Sequence, residues 1–473
     1  MFKKLFAPVD MTTGTPWKKI ILFAIPMLIG NIAQQLYNTV DSIVVGRFVG
    51  DNALAAVGST GAVLNVMIIL FVGIGTGATI MVSQYLGAKR KEELAWTVGN
   101  CITLMFFTAI AVTILGNILA RPLLVLLKTP AVILDDAVLY LRIIFMGIIG
   151  LSFYNVFSGI LRGLGDSVSA LIFLLVSSGL NIVGDLFTVI VLDMGVAGVA
   201  VATIAAQAVS AILCLRKLFS MKDLFVINRS HLKMQKKYVA QIARLGIPSS
   251  ITEAVFSMSM LVIQPLTNSF GETFIAANTI LMRVDALAIM PAFSFVTAMT
   301  TYAGQNMGAG DLKRVEEGTK QGLTVALIVT AAVTALLVIF SHPILGLFTK
   351  TEVIISMASR FIQILAVGYL FLTAMECLSG VMRGTGDSVT PMWISLVATV
   401  IIRIPLVYFL VNITKSEEMP LGNYNMMFIS TLICWGIGLI ITIVLFARGN
   451  WKSKGIVGGQ EPREVPQAGG SAA

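Results

Sequence analysis

Four oxygen-bearing side chains lie within long apolar stretches of this sequence, where polar groups are rare and tend to be functional. Asn181 and Asp185 are spaced i, i+4 and so share one face of a predicted helix, while Asp41 and Thr203 lie in two other stretches. Carboxylate, amide and hydroxyl oxygens are ligands that hard cations prefer. Two nearby buried carboxylates cannot both stay charged cheaply, so the pair would hold either a sodium ion or a proton. The four residues together predict a cation site.

A polar stripe leads up to Asp41 on the first apolar stretch. Gln34, Tyr37 and Asp41 follow the i, i+3, i+7 spacing of one helix face. Two plainer interpretations stay open for this group. Asp41 lies near the end of its stretch and could reach water, whereas Asn181 and Thr203 could simply hydrogen-bond between helices.

Three more carboxylates lie within apolar stretches of the second half of the chain, namely Glu253, Asp285 and Glu376. Charges in such places usually face a cavity or a partner of opposite sign. These residues are therefore candidates for binding a cationic substrate. The alternative is internal pairing with Arg283 or Arg403.

The elements that carry these residues are predicted to be membrane-spanning helices. The chain has 473 residues, of which 57% are hydrophobic and 12% charged, against a usual charged share of about 25%. The apolar blocks are about 20 residues long, as a spanning helix requires, and they lack the alternation of barrel strands. Twelve such blocks lie near 20–45, 54–82, 94–119, 134–158, 168–192, 196–218, 241–268, 275–303, 319–340, 354–380, 390–411 and 424–447.

The chain also repeats itself at one fixed offset. GILRGLGDS at 159–167 returns as GVMRGTGDS at 380–388, and SQYLGAK at 83–89 returns as GQNMGAG at 304–310, each 221 positions later. A constant offset over this length indicates an internal duplication. Each half holds six spans, an even number, so both halves enter the membrane in the same orientation. The halves should therefore be related by a pseudo-twofold axis along the membrane normal.

The prediction is an all-α membrane protein with two six-helix lobes. The repeated Gly-Asp corners lie at the end of the fourth span of each lobe. Their Arg is either a snorkelling residue beside a well-formed turn or part of a latch that opens as the lobes rock. The predicted domains are an N-terminal lobe, a linker, a C-terminal lobe and a disordered tail, at 1–218, 219–240, 241–447 and 448–473.

The distribution of charge excludes several classes of protein. Lys and Arg give a net charge of +9 and concentrate in the terminal segments and in the loops on one side. This positive-inside bias places both termini in the cytoplasm and argues for a membrane partner rather than nucleic acid. GIGTGA at 73–78 follows no strand, and no Walker sequence occurs, so neither ATP nor another nucleotide is expected. No Ser/His/Asp or Cys/His set occurs either, so we expect neither an enzyme nor a cofactor.

Several motifs in order resemble the multidrug and toxic compound extrusion (MATE) family over about 15–447. They are VDSIVVGR at 40–47, SQYLGAK at 83–89, LRGLGDS at 161–167, LNIVGD at 180–185, GVAGVAVAT at 195–203 and MRGTGDS at 382–388. The resemblance implies a V-shaped fold of two lobes in a bacterial plasma membrane. It also implies export of organic cations in exchange for Na⁺ or H⁺. Because one chain already provides the cleft, a monomer is expected.

The resemblance also assigns roles to single residues. Asp41, Asn181, Asp185 and Thr203 fall where family members bind the coupling cation, and Gln34, Tyr37 and Asn155 fall where they line the adjacent drug cavity. Pro26 falls on a first-helix proline linked to bending, although a plain packing kink would explain it equally well. Glu253 matches a span-seven acid used for cation or drug recognition. Glu376 matches a span-ten acid only loosely, because the local register differs.

Two other functions compete with a cation-coupled multidrug exporter. A flippase for a lipid-linked sugar belongs to the same superfamily but usually carries more spans and a strongly basic cavity. A membrane-embedded transferase would need a catalytic set that the sequence lacks. We therefore expect an antiporter in which drug and cation compete for the acidic residues of the first lobe.

Overall fold

The computed structural model describes residues 8–417 and 419–457, and over these ranges the chain is helical without a strand. The predicted all-α fold is therefore confirmed. The first half contains seven helices, α1 to α7, at Pro16–Val44, Asp51–Gly87, Lys91–Leu126, Ala131–Met146, Ile148–Gly163, Ser167–Leu186 and Gly195–Ser220. The second half contains α8 to α15, at Lys236–Ser269, Glu272–Gly308, Leu312–Ile339, Ser341–Gly346, Glu352–Gly384, Val389–Leu396, Arg403–Ile413 and Asn425–Ala447.

The predicted fourth span is divided in two at Gly147. Within the described ranges, eleven segments are long and apolar enough to cross a membrane, and α4 with α5 supplies the remaining span in two pieces. A side chain at position 147 would overlap Ile204 of α7. Gly147 thus lets the broken helix pack closely against its neighbour, a contact that periodicity along one stretch cannot reveal.

In the described part of the chain, three π-helical turns interrupt the spans, and each lies beside an ionisable residue. Val45–Val49 follows Asp41 by one turn, Phe187–Val191 follows Asp185, and Val397–Ile402 leads directly into Arg403. Insertions of this kind are frequent at functional sites because they re-aim nearby side chains.

The first helix of each half packs partly against the other half. Ile20 and Phe23 of α1 belong to an apolar cluster built mainly from second-half residues such as Phe295. In the same way, Ile242 and Leu245 at the start of α8 belong to the first-half cluster. Pro26 lies before the polar stripe, within the part of α1 that packs against the second half, since Met27 also contacts this cluster and Asn31 Nδ2 donates to Ser294 Oγ at 3.1 Å.

The two halves exchange hydrogen bonds at the end of the bundle that carries residues 8–15 and 448–457, here called the terminal face. The Gln84 amide donates to the carbonyl oxygen of Gly384 at 2.8 Å, and the Gln305 amide donates to that of Gly163 at 3.2 Å. These partners occupy equivalent positions of the repeat, 221 residues apart. The exchange closes the terminal face with approximate twofold symmetry.

Each repeated Gly-Asp corner receives one end of the chain. Gly165 and Gly386 adopt positive φ angles of 87° and 103°, which favour glycine. A side chain at Gly165 would overlap the Val9 carbonyl oxygen, and one at Gly386 would meet that of Lys454. The aspartate that follows each glycine accepts from a backbone N–H in the first turn of the next helix.

The predicted disorder of the tail is wrong for its first part. Residues 450–453 form a turn of 3₁₀ helix, and the Trp451 ring is buried and stacks on Phe446. The Ile456 N–H then donates to Gln84 Oε1 at 2.7 Å. Burial of a large aromatic side chain offsets the low local propensity for structure. Residues 458–473 of the predicted tail lie outside the described residues.

Candidate functional site

The four residues of the predicted cation site come together between α1, α6 and α7. Asn181 Nδ2 donates to Thr203 Oγ1 at 3.2 Å and lies 3.5 Å from Asp185 Oδ1. The carboxyl group of Asp41 lies within hydrogen-bonding reach of that of Asp185. Asn181 and Asp185 are almost fully buried, at 1% and 0% exposure. The i, i+4 spacing on α6 and the packing of α1, α6 and α7 thus bring the four side chains together.

Three oxygens of this cluster are buried and have no hydrogen-bond donor within the described ranges. They are Asp41 Oδ1, Asn181 Oδ1 and Asp185 Oδ2. A buried oxygen without a donor is costly, and two adjoining carboxylates raise that cost. The cluster therefore lacks a positive partner, which a monovalent cation or a proton would supply.

Two tyrosines complete the surroundings of the cluster. Tyr37, on the predicted stripe, is directed at Thr203. Tyr140 of α4 is only 5% exposed and interacts electrostatically with Asp41, Asp185 and Tyr37. Sequence reasoning missed Tyr140 because it belongs to no polar stripe and reaches the cluster only through helix packing.

The role of Gln34 and Asn155 in a drug cavity beside the cluster stays a prediction. Gln34 is exposed on α1, and the Asn155 amide donates to the Leu151 carbonyl of its own helix at 2.8 Å. Neither they nor Tyr37 lines the large cavity described next.

A cavity of about 530 Å³ lies mainly within the second half and reaches α1, α2 and α5 of the first. Glu253, Asp285 and Glu376 all line it, so the three predicted acids of the second half do come together. Its volume falls within the range of about 300–1,000 Å³ that is usual for drug-sized ligands. Three guanidinium groups and several large apolar side chains share the wall, namely Arg162, Arg383, Arg403, Phe256, Met260, Met282, Phe293, Met375 and Trp435.

The internal pairing of these acids differs from the alternative considered above. Glu376 accepts from Arg383 Nη2 at 3.0 Å, and not from Arg283 or Arg403. Asp285 accepts from the Tyr369 hydroxyl and interacts with Arg403 at longer range. Arg383 lies two turns beyond Glu376 on α12, at the repeated Gly-Asp corner. The i, i+7 spacing of the two residues is a sequence signal that could have predicted this pair.

The repeated arginines point into the protein instead of to a headgroup surface. Arg162 lines the cavity and donates to Ser158 Oγ at 3.1 Å, while Arg383 holds Glu376. The snorkelling interpretation of these corners is therefore wrong. Each corner therefore lies between the cavity, which its arginine lines, and the terminal face.

Comparisons with known proteins agree with this architecture. The sequence model of the MatE family matches twice, over residues 26–187 and 248–409, in keeping with the internal duplication. The chain is 30% identical over 410 residues to the probable multidrug resistance protein YoeA of Bacillus subtilis (strain 168), covering 85% of this chain and 88% of that protein. It is 26% identical over 463 residues to the probable multidrug resistance protein NorM of Thermotoga maritima, covering 95% and 96%.

The fold also matches a solved structure described as the crystal structure of MATE in the straight conformation. The TM-score is 0.86 at 26% sequence identity, and the match covers 93% of this chain and 98% of that one. Helix arrangement, internal repeat and sequence motifs thus agree over nearly the whole length. The chain therefore belongs to the MatE family of multidrug and toxic compound extrusion transporters.

Proposed function

We propose that this protein is a secondary active multidrug antiporter that exports organic cations in exchange for Na⁺ or H⁺. The observation that carries the proposal is the buried cluster of Asp41, Asn181 and Asp185, which presents three oxygens without a donor. The coupling cation would bind there with Thr203 as a further ligand. A sodium ion or proton that crosses 100 mV releases about 2.3 kcal/mol, to which its concentration gradient adds.

Competition for the carboxylates would couple the two fluxes. With the Asp41–Asp185 pair unneutralised, a cationic drug is held in the protein by its charge. Entry of Na⁺ or H⁺ from outside neutralises the pair and removes that attraction. The coupling cation then leaves on the cytoplasmic side, which resets the site.

Pro26 would serve as the bending point of α1 during this cycle. Pro26 precedes Gln34, Tyr37 and Asp41 on the same helix, so a bend there would move the polar stripe relative to the start of α1. A proline within a helix removes one backbone hydrogen bond and so lowers the cost of bending. We further propose that the terminal face is cytoplasmic, and that the protein works as a monomer in a bacterial plasma membrane without ATP.

The test is ethidium transport into or out of proteoliposomes under an imposed Na⁺ gradient and, separately, an imposed H⁺ gradient. Asp185→Asn keeps the size of the side chain but removes its charge, so we expect gradient-driven transport to fall at least about tenfold. Pro26→Ala, run in the same assay, should slow transport if bending at this position is required. The gradient that drives wild-type transport identifies the coupling ion.

Asp223→Asn is a matched control, since Asp223 is an exposed carboxylate in the connection between α7 and α8, outside the helices that form both sites. It should transport like the wild type. If Asp185→Asn also retained transport and its ion dependence, coupling at this cluster would be refuted. No transport by folded wild-type protein under either gradient would favour the lipid-linked sugar flippase instead.

A further inference from the structure

We propose that the second-half cavity is a mixed-charge subsite that takes zwitterionic ligands, with Glu253 receiving the cationic group and Arg403 the carboxylate. The inference rests on the proposed function and narrows its substrate class. It concerns organic cations that also carry an anionic group, and it assigns a positive recognition residue within the membrane.

The first observation is the unmet hydrogen-bonding capacity of Arg403. Its Nε–H is buried and has no acceptor within the described ranges, and its guanidinium forms no ion pair within 4.0 Å there. Asp285 interacts with it only at longer range, while one oxygen of that carboxylate is already engaged by Tyr369. A guanidinium away from bulk water is costly without an acceptor, and its planar fork matches a carboxylate well.

The second observation is how Arg403 is held. It follows the π-helical turn Val397–Ile402 and begins α14. Neighbouring helices fix this turn, since Cys434 Sγ donates to the Ala398 carbonyl at 3.0 Å and Ser259 Oγ to that of Thr399 at 3.4 Å. The turn therefore presents Arg403 to the cavity wall on a supported backbone, as a binding residue requires.

The third observation is the balance of charge around the cavity. Three carboxylates and three guanidinium groups line the cavity, whereas the first-half cluster has two carboxylates and, within the part of the chain that the structure describes, no basic side chain bonded to them. Glu376 accepts from Arg383 at 3.0 Å, whereas Glu253 interacts with that arginine only at longer range and has no hydrogen-bond donor among the described residues. A ligand that carries both signs could supply a donor to Glu253 and an acceptor to Arg403, whereas a simple cation could supply only the first.

The apolar part of the wall fits the remainder of such a ligand. Phe256, Phe293 and Trp435 line the cavity together with several methionines. Aromatic faces attract delocalised cations, and methionine adapts to irregular shapes. The ligand class that follows is an aromatic amine or ammonium compound that bears a carboxylate.

The test uses two dyes that differ only at the group in question. Rhodamine 123 is a cationic methyl ester, and rhodamine 110 is its free acid, a zwitterion at neutral pH. Binding to the purified full-length protein is followed by fluorescence anisotropy. We expect wild-type protein to bind rhodamine 110 at least as tightly as rhodamine 123. Arg403→Gln should weaken rhodamine 110 about tenfold or more and leave rhodamine 123 within about twofold.

Two further variants complete the design. Arg403→Lys keeps the charge but not the fork, so it should recover part of the loss, while Glu253→Gln should weaken both dyes. Arg360→Gln, which removes an exposed arginine outside this cavity, should leave both unchanged. Retained rhodamine 123 binding reports that the Arg403 and Arg360 variants are folded, and an unchanged thermal unfolding curve in detergent reports this for Glu253→Gln.

Three results would overturn the inference. They are a wild-type preference for rhodamine 123 of tenfold or more, an equal loss of both dyes in Arg403→Gln, and no loss of either. The wild-type comparison decides the matter even if Arg403→Gln does not fold. Failure of the proposed antiport would appear separately, as a lack of gradient-driven ethidium transport, so the two failures can be distinguished.

Discussion

Arg383 is the residue on which the charge balance of the cavity floor depends. It pairs with Glu376 at 3.0 Å and also interacts with Glu253. The Arg383 and Glu376 side chains are only 12% and 19% exposed, so water screens the pair weakly. One arginine therefore interacts with two carboxylates. Removing the arginine should destabilise the protein more than removing one of the carboxylates.

This inequality gives a prediction at the scale of residues. Arg383→Gln should cost about 1–3 kcal/mol of stability, because it leaves two facing, partly buried carboxylates without their cationic partner. Glu376→Gln should cost less, because Arg383 keeps Glu253 as a partner. Thermal unfolding in detergent, followed by intrinsic fluorescence, would measure both. The double variant Arg383→Gln/Glu253→Gln should recover part of the loss, and equal costs for the two single variants would contradict this account.

The close approach of helices at the terminal face depends on two glycines related by the repeat. A side chain on Gly87 of α2 would overlap the Gln305 carbonyl oxygen, and one on Gly308 of α9 would overlap that of Gln84. Both obstacles are backbone atoms, which cannot move aside without shifting a helix. These glycines let α2 and α9 approach until Gln84 and Gln305 reach the opposite half.

At the scale of elements, Gly87→Ala and Gly308→Ala should each force the helix ends apart and favour a form that is open at the terminal face. Fluorescence or spin-label distances between labels on the two halves should increase there. Gly58→Ala is the matched control on α2, since nothing lies within 4 Å of its added methyl group. It should leave the distance unchanged and slightly favour the helix. A distance that stays closed in both interface variants would refute this role.

At the scale of the whole molecule, the two ends of the chain fasten the closed terminal face. Met11 N–H donates to Gln305 Oε1 at 3.0 Å, and Ile456 N–H donates to Gln84 Oε1 at 2.7 Å. The same two glutamine amides hold the opposite half. Each glutamine thus joins one lobe, the other lobe and one end of the chain.

Removal of residues 450–473 should therefore weaken the closure, since it deletes the Ile456 contact and the buried Trp451 side chain. The expected result is a larger population open at the terminal face, measured by labelling of a cysteine introduced near Gln84. Removal of 458–473 alone is the control, because it leaves these contacts in place. Equal labelling of the two truncated proteins would rule out a role for residues 450–457 in closure.

The sequence by itself determined the helical class, the duplication and the composition of the first-half cluster. Runs of about 20 apolar residues admit only helices that satisfy their own backbone, and a constant offset reveals a repeat whatever the packing. Asn181 and Asp185 had to share a face because i, i+4 spacing acts along a single helix. These inferences are local, so a linear sequence contains them.

Contacts between helices were decided only by the tertiary structure. It placed Tyr140 beside the cluster and paired Glu376 with Arg383. It also left the Arg403 Nε–H without an acceptor among the described residues and folded residues 448–457 against the bundle. It also broke the fourth span at Gly147, where α7 approaches. The physical reason is that a side chain's partner depends on the rotation and depth of neighbouring helices. The rotation and depth of each helix depend in turn on contacts among many residues that are far apart in the sequence.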